Sequence, residues 1–293
     1  MNARQQPLQM PRGIACSDQD YGAIAKLVLT QSGINLTAEK KNLVVARLMR
    51  RLKQCGLGSF QEYRRLVEDP KAGKAERRQM ITELTTNVTR FMREAHHFRH
   101  LQSDVLDGLI ARAENGQRIR FWSAGCSSGE EPYSLAMCLL DRCPDAAGMD
   151  IRILATDIDP IVLNDAKNAI YNQQTVNELP SDWQRRFLTD RVGNGFLINE
   201  SVRSLVTFRE LNLIAKWPLS GFLDVVFCRN VAIYFGRDTQ ITLWQRFYEQ
   251  MHPGAHLYIG HSERISGPVS QHFTQVVTTG FRRSQHAPAS QGD

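Results

Sequence analysis

The sequence predicts an α/β protein: a Rossmann-like domain, preceded by an all-helical N-terminal domain and carrying a small inserted antiparallel β subdomain. Three observations predict it. Residues 17 to about 88 show helical periodicity only; the stretch Arg118–Asp141 reads as strand, glycine turn and helix; and after it short apolar runs alternate with helical segments.

The opening unit, RIRFWSAGCSSGEEPYSLAMCLLD, organises the rest. Ile119, Phe121, Trp122 and Ala124 form an apolar run suited to a buried strand. Ser127 and Ser128 can cap the helix that follows, Glu130 and Glu131 suit the positive end of its dipole, and Pro132 fits its first turn. Gly125 and Gly129 let the backbone turn sharply and let a ligand approach it. The G-x-x-x-G spacing followed by two acids is neither a dinucleotide fingerprint nor a phosphate-binding P-loop, and acids there repel phosphate. A ligand of this turn is therefore a nucleoside without phosphates and preferably cationic. S-adenosylmethionine meets both conditions, against the alternative that the turn is plain packing.

Before this unit, Ser17 or Asp18 caps a first helix, and Thr37 caps a second, TAEKKNLVVARLMRRLKQCG. On the second, Val45, Leu48, Met49 and Leu52 line one face and Lys40, Arg47, Arg50 and Arg51 the other, as a solvated face or as a docking surface for an acidic helix. Two further helices, SFQEYRRLVED and about Lys74 to Thr86, lead into the linker TELTTNVTRFMREAHHFRHL, whose Asn87, Thr89, Arg90 and Arg93 supply donors where a simple linker would be Gly and Pro rich. His96, His97 and His100 lack H-E-x-x-H spacing and read as surface or capping histidines, with no metal.

After the unit, DIRILAT is a strand ending in Asp157, 28 residues past Gly129, where a carboxylate can accept ribose hydroxyls or cap the next helix. GFLIN and SLVTFREL read as an antiparallel hairpin inserted between helix and strand. FLDVVFC is a central strand that ends in Arg229 and Asn230, at the edge where open α/β sheets bind ligands. The helix TQITLWQRFYEQM and the strands HLYIG and TQVVTTGFRRS complete the pattern; Ser262 lacks a nucleophile elbow and reads as a helix cap.

The 293 residues suffice for two domains, and the formal charge of +6 is uneven. Residues 1–97 carry 17 Lys and Arg against 9 Asp and Glu, so the basicity belongs to the N-terminal third and implies an acidic partner. No apolar run approaches the ~18 residues of a membrane span and no signal peptide is visible, so a cytoplasmic protein is expected. The six cysteines form no C-x-x-C pair and read as reduced thiols.

With TNVTRFMRE, SAGCSSGEEPYS, ATDID, LNL and CRNVAIYF in order, the chain resembles the CheR family of chemoreceptor glutamate O-methyltransferases over nearly its whole length. The resemblance implies transfer of the methyl group of S-adenosylmethionine to glutamate side chains on the helical cytoplasmic signalling region of chemoreceptors (methyl-accepting chemotaxis proteins). The products are glutamate methyl esters and S-adenosylhomocysteine, and the output is sensory adaptation. It implies cofactor contacts from Asn87, Thr89, Arg93, Gly125, Glu130, Asp157, Asn212, Leu213, Arg229 and Asn230, with Arg93 and Tyr234 facing the incoming carboxylate as catalytic residues. Lys40, Arg47, Arg50 and Arg51 would dock the acidic receptor helices, and the β subdomain docks a receptor C-terminal peptide in some members. Met92 stands where Phe is usual, Ser128 where Thr is common and Ala232 where Met is common. The expected layout is a disordered tail 1–16, a basic helical domain 17–86, an active-site linker 87–97, a methyltransferase domain 98–284 with the β subdomain at about 173–211, and a disordered tail 285–293. A monomer is expected, with neither nucleic acid nor membrane insertion. A nucleic-acid methyltransferase is disfavoured, because Arg229-Asn230-Val231-Ala232 stands where base N-methyltransferases carry an Asn or Asp-Pro-Pro-aromatic turn and the N-domain lacks interleaved aromatics. A non-catalytic sensor is disfavoured by the intact Asn87, Arg93, Asp157 and Asn230.

Overall fold

The computed structural model describes residues 14–193 and 195–285, so the two expected tails fall largely outside the described residues. The chain divides after Thr86 into two units.

The first unit holds α1 (Asp18–Ser32), α2 (Lys41–Gln54), α3 (Phe60–Glu68) and α4 (Lys74–Leu84). Ser17 caps α1 by accepting from the Asp20 N–H, and Ser59 caps α3 by accepting from the Glu62 N–H. Thr37 makes no side-chain cap: a 3-10 turn, Ala38–Lys40, intervenes before α2. The core is the apolar stripe of each helix, with Ile24, Val28, Leu48, Leu52, Phe60, Tyr63, Val67 and Met80 at 1 % exposure or less.

The second unit opens with the linker, then α5 (Ala95–His100), a π-helical turn (Leu101–Val105) and α6 (Leu106–Glu114). There follow β1 (Ile119–Ala124), α7 (Glu130–Arg142), β2 (Ile151–Asp157), α8 (Pro160–Asn168), β3 (Ile170–Tyr171), α9 (Gln173–Val176), α10 (Ser181–Phe187), β4 (Leu188–Val192), β5 (Gly195–Ile198), α11 (Glu200–Arg203), β6 (Val206–Glu210) and β7 (Leu223–Cys228). The unit closes with a 3-10 turn (Ala232–Tyr234), α12 (Arg237–Gln250), β8 (Met251–Ile259), β9 (Phe273–Val277) and β10 (Gly280–Arg283). The main sheet runs β6-β2-β1-β7-β8-β10-β9, parallel from β6 to β8, with β10 antiparallel to its neighbours. Strand order therefore reverses between β1 and β7, and the ligand crevice of such a sheet lies at the carboxyl ends of those two strands. Every β7 residue is buried, and alternation sends Phe121, Val225 and Phe227 into one apolar layer and Trp122, Val226 and Cys228 into the other.

The hairpin expectation is corrected. GFLI pairs with β4 and β3 in a three-stranded antiparallel sheet, whereas Val206–Glu210 pairs in parallel with β2 as the edge of the main sheet. The small sheet thus starts at Ile170, and the segment ending at Glu210 belongs to the main one. Ser262 lies in a turn and caps no helix. Among the described residues no helix is long and apolar enough to cross a membrane.

Candidate active site

The turn after β1 is fixed by hydrogen bonds from the Gly125 and Cys126 N–H groups to Thr156 O at 2.8 and 2.9 Å. Both glycines are in the left-handed region, at φ 88° and 99°. At Gly129 a Cβ would lie 2.8 Å from Tyr171 Oη and 2.9 Å from Ala166 Cβ, so the site admits glycine alone. Neither serine caps α7. Ser127 Oγ donates to Asn87 O, Ser128 Oγ donates to Glu130, and Gly129 occupies the cap position. Glu130 is buried, and burial raises its carboxyl above the usual range.

Asp157, at the end of β2, is 8 % exposed. Its Oδ2 accepts from the Ser127 N–H at 2.9 Å and its Oδ1 from the Asp159 N–H at 3.0 Å, leaving each oxygen a second lone pair. Desolvation raises its carboxyl despite those bonds. The helix cap is Asp159, whose other oxygen accepts from Asn87 Nδ2 at 2.8 Å and ties the linker to the second strand.

The linker is anchored at several points. The Met92 N–H donates to Ser134 Oγ, and Phe91 packs edge-on against Tyr171 at 5.0 Å; the Tyr171 hydroxyl donates to Ser128 O at 2.7 Å. Arg93 Nη1 donates to Val88 O, and its guanidinium makes no ion pair among the described residues. Thr89 and Arg93 are half-buried.

Arg229, at the end of β7, is engaged within the protein. Its side chain is 2 % exposed, lies 3.2 Å from Glu131 and 3.6 Å from Glu94, donates to Arg93 O, and sits against the rings of Phe98 and Phe227. The guanidinium thus fastens the linker to β7 and α7. Glu131 accepts from Ser123 Oγ on its other oxygen. Of the histidines only His97 is fully buried, with Nε2 at 3.0 Å from Thr278 O; the partly buried His100 bonds Tyr258 Oη through Nδ1 at 2.8 Å. Burial lowers His97 to about 3, aided by the Arg229 charge. Glu94, His96 and His97 stand within ligand spacing of one another, but both Nε2 atoms face Thr278 O and the carboxylate faces Arg229.

Asn212 Oδ1 accepts from the Ile214 N–H, and Leu213 is buried beneath it. The Leu213 carbonyl accepts from Trp217 Nε1 and from Arg246, which stacks on the Trp217 ring at 3.9 Å. Tyr234 is half-buried in the turn after β7. Asn87, Gly125, Asp157, Asn212, Arg229 and Asn230 thus gather at one carboxyl edge of the parallel strands. The expected site omitted Asp159, Ser127, Glu131, Tyr171, Glu94 and Glu263; Ser127 and Glu131 were read only as a helix cap and a partner of the helix dipole, and Asp159 and Glu94 only as members of motifs.

The four basic residues of α2 separate. Arg47 Nη1 donates to Leu84 O and Thr85 O, closing the carboxyl end of α4. Arg51 forms a bidentate pair with Glu76, 2.6 Å at its shorter contact, and Tyr63 Oη donates to the same carboxylate at 2.8 Å. Arg50 pairs with Glu83 but its side chain stays 68 % exposed. Of the four residues expected to form one basic face, Arg47 and Arg51 are thus engaged inside the helical unit, whereas Arg50 stays exposed.

A glycine-lined turn, a buried carboxylate at the second strand and no basic side chain along the turn fit a phosphate-free nucleoside. Comparison decides the lineage. The family model "CheR methyltransferase, SAM binding domain" matches residues 87–281, and "CheR methyltransferase, all-alpha domain" matches residues 19–85. The chain belongs to the CheR methyltransferase family. It is 44 % identical to a probable chemotaxis protein methyltransferase of Rhizobium etli over 87 % of this chain and 96 % of that one. Chemotaxis protein methyltransferases of Borreliella burgdorferi and Escherichia coli are 37 % and 39 % identical, covering 91 % and 88 % of this chain and 95 % and 89 % of theirs. As a CheR protein, the chain is an S-adenosylmethionine-dependent methyltransferase, with an all-helical domain ahead of a Rossmann-like one.

Proposed function

We propose that this CheR protein acts in chemotaxis by converting glutamate side chains of chemoreceptors to methyl esters. S-adenosylhomocysteine is the second product. The observation that carries the reading is Arg93: a half-buried guanidinium with one hydrogen bond and no ion pair among the described residues, on a linker tied down at Asn87, Phe91 and Met92. Such a cation is suited to hold a carboxylate. Arg229, by contrast, is engaged by two acids.

In this reading Asp157 accepts from the ribose, Asn212 and Leu213 border the adenine, and Asn87, Thr89, Gly125, Glu130 and Asn230 line the remainder. Tyr234 and Arg93 orient the substrate carboxylate. When bound, S-adenosylmethionine supplies a methyl group made electrophilic by its sulfonium. A glutamate carboxylate, with reference pKa near ~4.3, is ionised at pH 7, so the carbon–oxygen bond forms as the carbon–sulfur bond breaks and no general base is required. The task left to the protein is alignment. Lys40 and the exposed Arg50 steer the acidic receptor helix, an attraction that weakens as salt rises.

The test is tritium transfer from labelled S-adenosylmethionine to a receptor cytoplasmic fragment and to RNA, followed by base treatment, with Arg93→Ala alongside. Base-labile label on the fragment, and a variant that binds S-adenosylhomocysteine within a few fold yet loses most turnover, are expected. Base-stable label on RNA, or equal loss of binding and turnover, overturns the reading.

A further inference from the structure

The loop after β8 carries a buried carboxylate that the proposed chemistry does not use. Glu263 is 5 % exposed and forms no ion pair among the described residues. Its two oxygens instead accept four backbone N–H groups in a fork. Oε2 takes Gly260 at 2.5 Å and Asn230 at 3.0 Å; Oε1 takes Val231 at 2.9 Å and Ile233 at 3.2 Å. Three of these donors belong to the turn that follows β7 and bears Asn230 and Tyr234.

That turn needs an external constraint. Asn230 is a non-glycine residue at φ 61°, a conformation that costs free energy for an L side chain and relaxes unless its surroundings hold it. The fork grips the chain on both sides of that residue. From below, Gly260 supplies room: a Cβ there would sit 2.6 Å from Asn230 Nδ2 and 2.8 Å from its backbone nitrogen. An ionised carboxylate binds backbone N–H groups about twice as strongly as a neutral acceptor does, which suits this rather than an apolar filler.

We infer that Glu263 is a positioning residue for methyl transfer: it sets the backbone of Asn230–Tyr234, and through it the place of Asn230 and Tyr234 at the strand edge. The inference rests on the functional reading above. The residue acts through the turn its carboxylate grips.

The experiment compares the wild type with Glu263→Gln and Glu263→Asp by hydrogen exchange of peptides spanning 229–235 and by steady-state transfer to a receptor fragment. Glu263→Gln replaces one accepting oxygen by an amide that confronts N–H donors. It should raise exchange in 229–235 at least tenfold and leave β1 and β2 peptides unchanged. It should lower kcat about 100-fold, the loss that a displacement of about 1 Å produces, with KM for S-adenosylmethionine within threefold. Glu263→Asp, which keeps the charge, should recover part of kcat. Undiminished kcat in Glu263→Gln, equal loss in kcat and cofactor affinity, no recovery in Glu263→Asp, or failure of both variants to fold overturns the inference. No transfer by the wild type overturns the substrate reading instead, and the exchange comparison, which needs no substrate, still reads the fork.

Discussion

Replacing Arg229 by Met tests whether the guanidinium is a structural tie rather than a cofactor ligand. The substitution keeps a long apolar stem between Phe98 and Phe227 but removes the cation from Glu131, whose side chain is only 12 % exposed, and from the Arg93 carbonyl. Removing one partner of a buried ion pair costs about 3–5 kcal/mol, because the other charge stays desolvated. At about 2–4 °C per kcal/mol for a domain near this size, the melting temperature should fall by roughly 10 °C. Adding Glu131→Gln removes the stranded charge, so the double variant should be more stable than Arg229→Met alone. The coupling should reach about 2 kcal/mol. The sign with pH follows from burial, which already raises the Glu131 carboxyl in the presence of Arg229. Without the arginine the folded state favours the protonated acid still more. A group raised on folding loses its stabilising contribution as pH climbs above its unfolded value near ~4.3, so the deficit of Arg229→Met should be smaller at pH 5.5 than at pH 8. Urea unfolding followed by circular dichroism at both pH values measures all four corners of the cycle. Additivity within about 0.5 kcal/mol, or a deficit independent of pH, would refute the tie.

Three further outcomes follow from the same geometry. His97 is held neutral to about pH 3 in the fold, so the unfolded chain takes up the proton first and stability falls as pH drops through about 6.5; at pH 5 this amounts to about 2 kcal/mol, and His97→Gln should flatten urea-measured stability by that amount. Arg51→Ala strands the part-buried Glu76 and should lower stability by about 2 kcal/mol, whereas Arg50→Ala at an exposed pair should leave the melting curve in place and raise KM for the receptor fragment several-fold, as separated by calorimetry and transfer kinetics. Gly129→Ala forces a Cβ against Tyr171 Oη and Ala166 at φ 99°, so titration calorimetry should find S-adenosylhomocysteine bound at least about tenfold more weakly.

Local pattern made much of this fold legible. An apolar run, two glycines and an acidic helix start marked β1 and α7, and the all-apolar FLDVVFC marked β7 as central. Pairing was less legible. GFLI and SLVTFREL both alternate, and alternation alone does not say that one joins β4 while the other joins β2 more than fifty places up the chain. The helical wheel put Arg47 and Arg51 opposite the apolar stripe of α2, but long side chains reach sideways to α4 and satisfy its carbonyls and Glu76 there. Glu263 was illegible for a plainer reason. Its meaning lies in four N–H groups, three of them about thirty residues earlier, and no spacing rule announces a contact between two loops.

The strain in the backbone says which part of the molecule these contacts serve. Six non-glycine described residues adopt positive φ, and four of them, Met92, Glu94, Ser127 and Asn230, lie on the linker, the turn after β1 and the turn after β7. Each such residue costs on the order of 1 kcal/mol or more, so each must be held by something stronger. The holders are specific: Ser134 for the Met92 N–H, Arg229 for the Glu94 carboxylate, Asp157 for the Ser127 N–H, and Glu263 for the Asn230 N–H. Glycine would relieve the strain at all four. At Glu94 and Ser127 it would also delete a side chain that the structure uses, to face Arg229 in one case and to bond Asn87 in the other. At Asn230 the amide packs against Gly260, so a glycine there would loosen the turn on which the proposed methyl transfer relies.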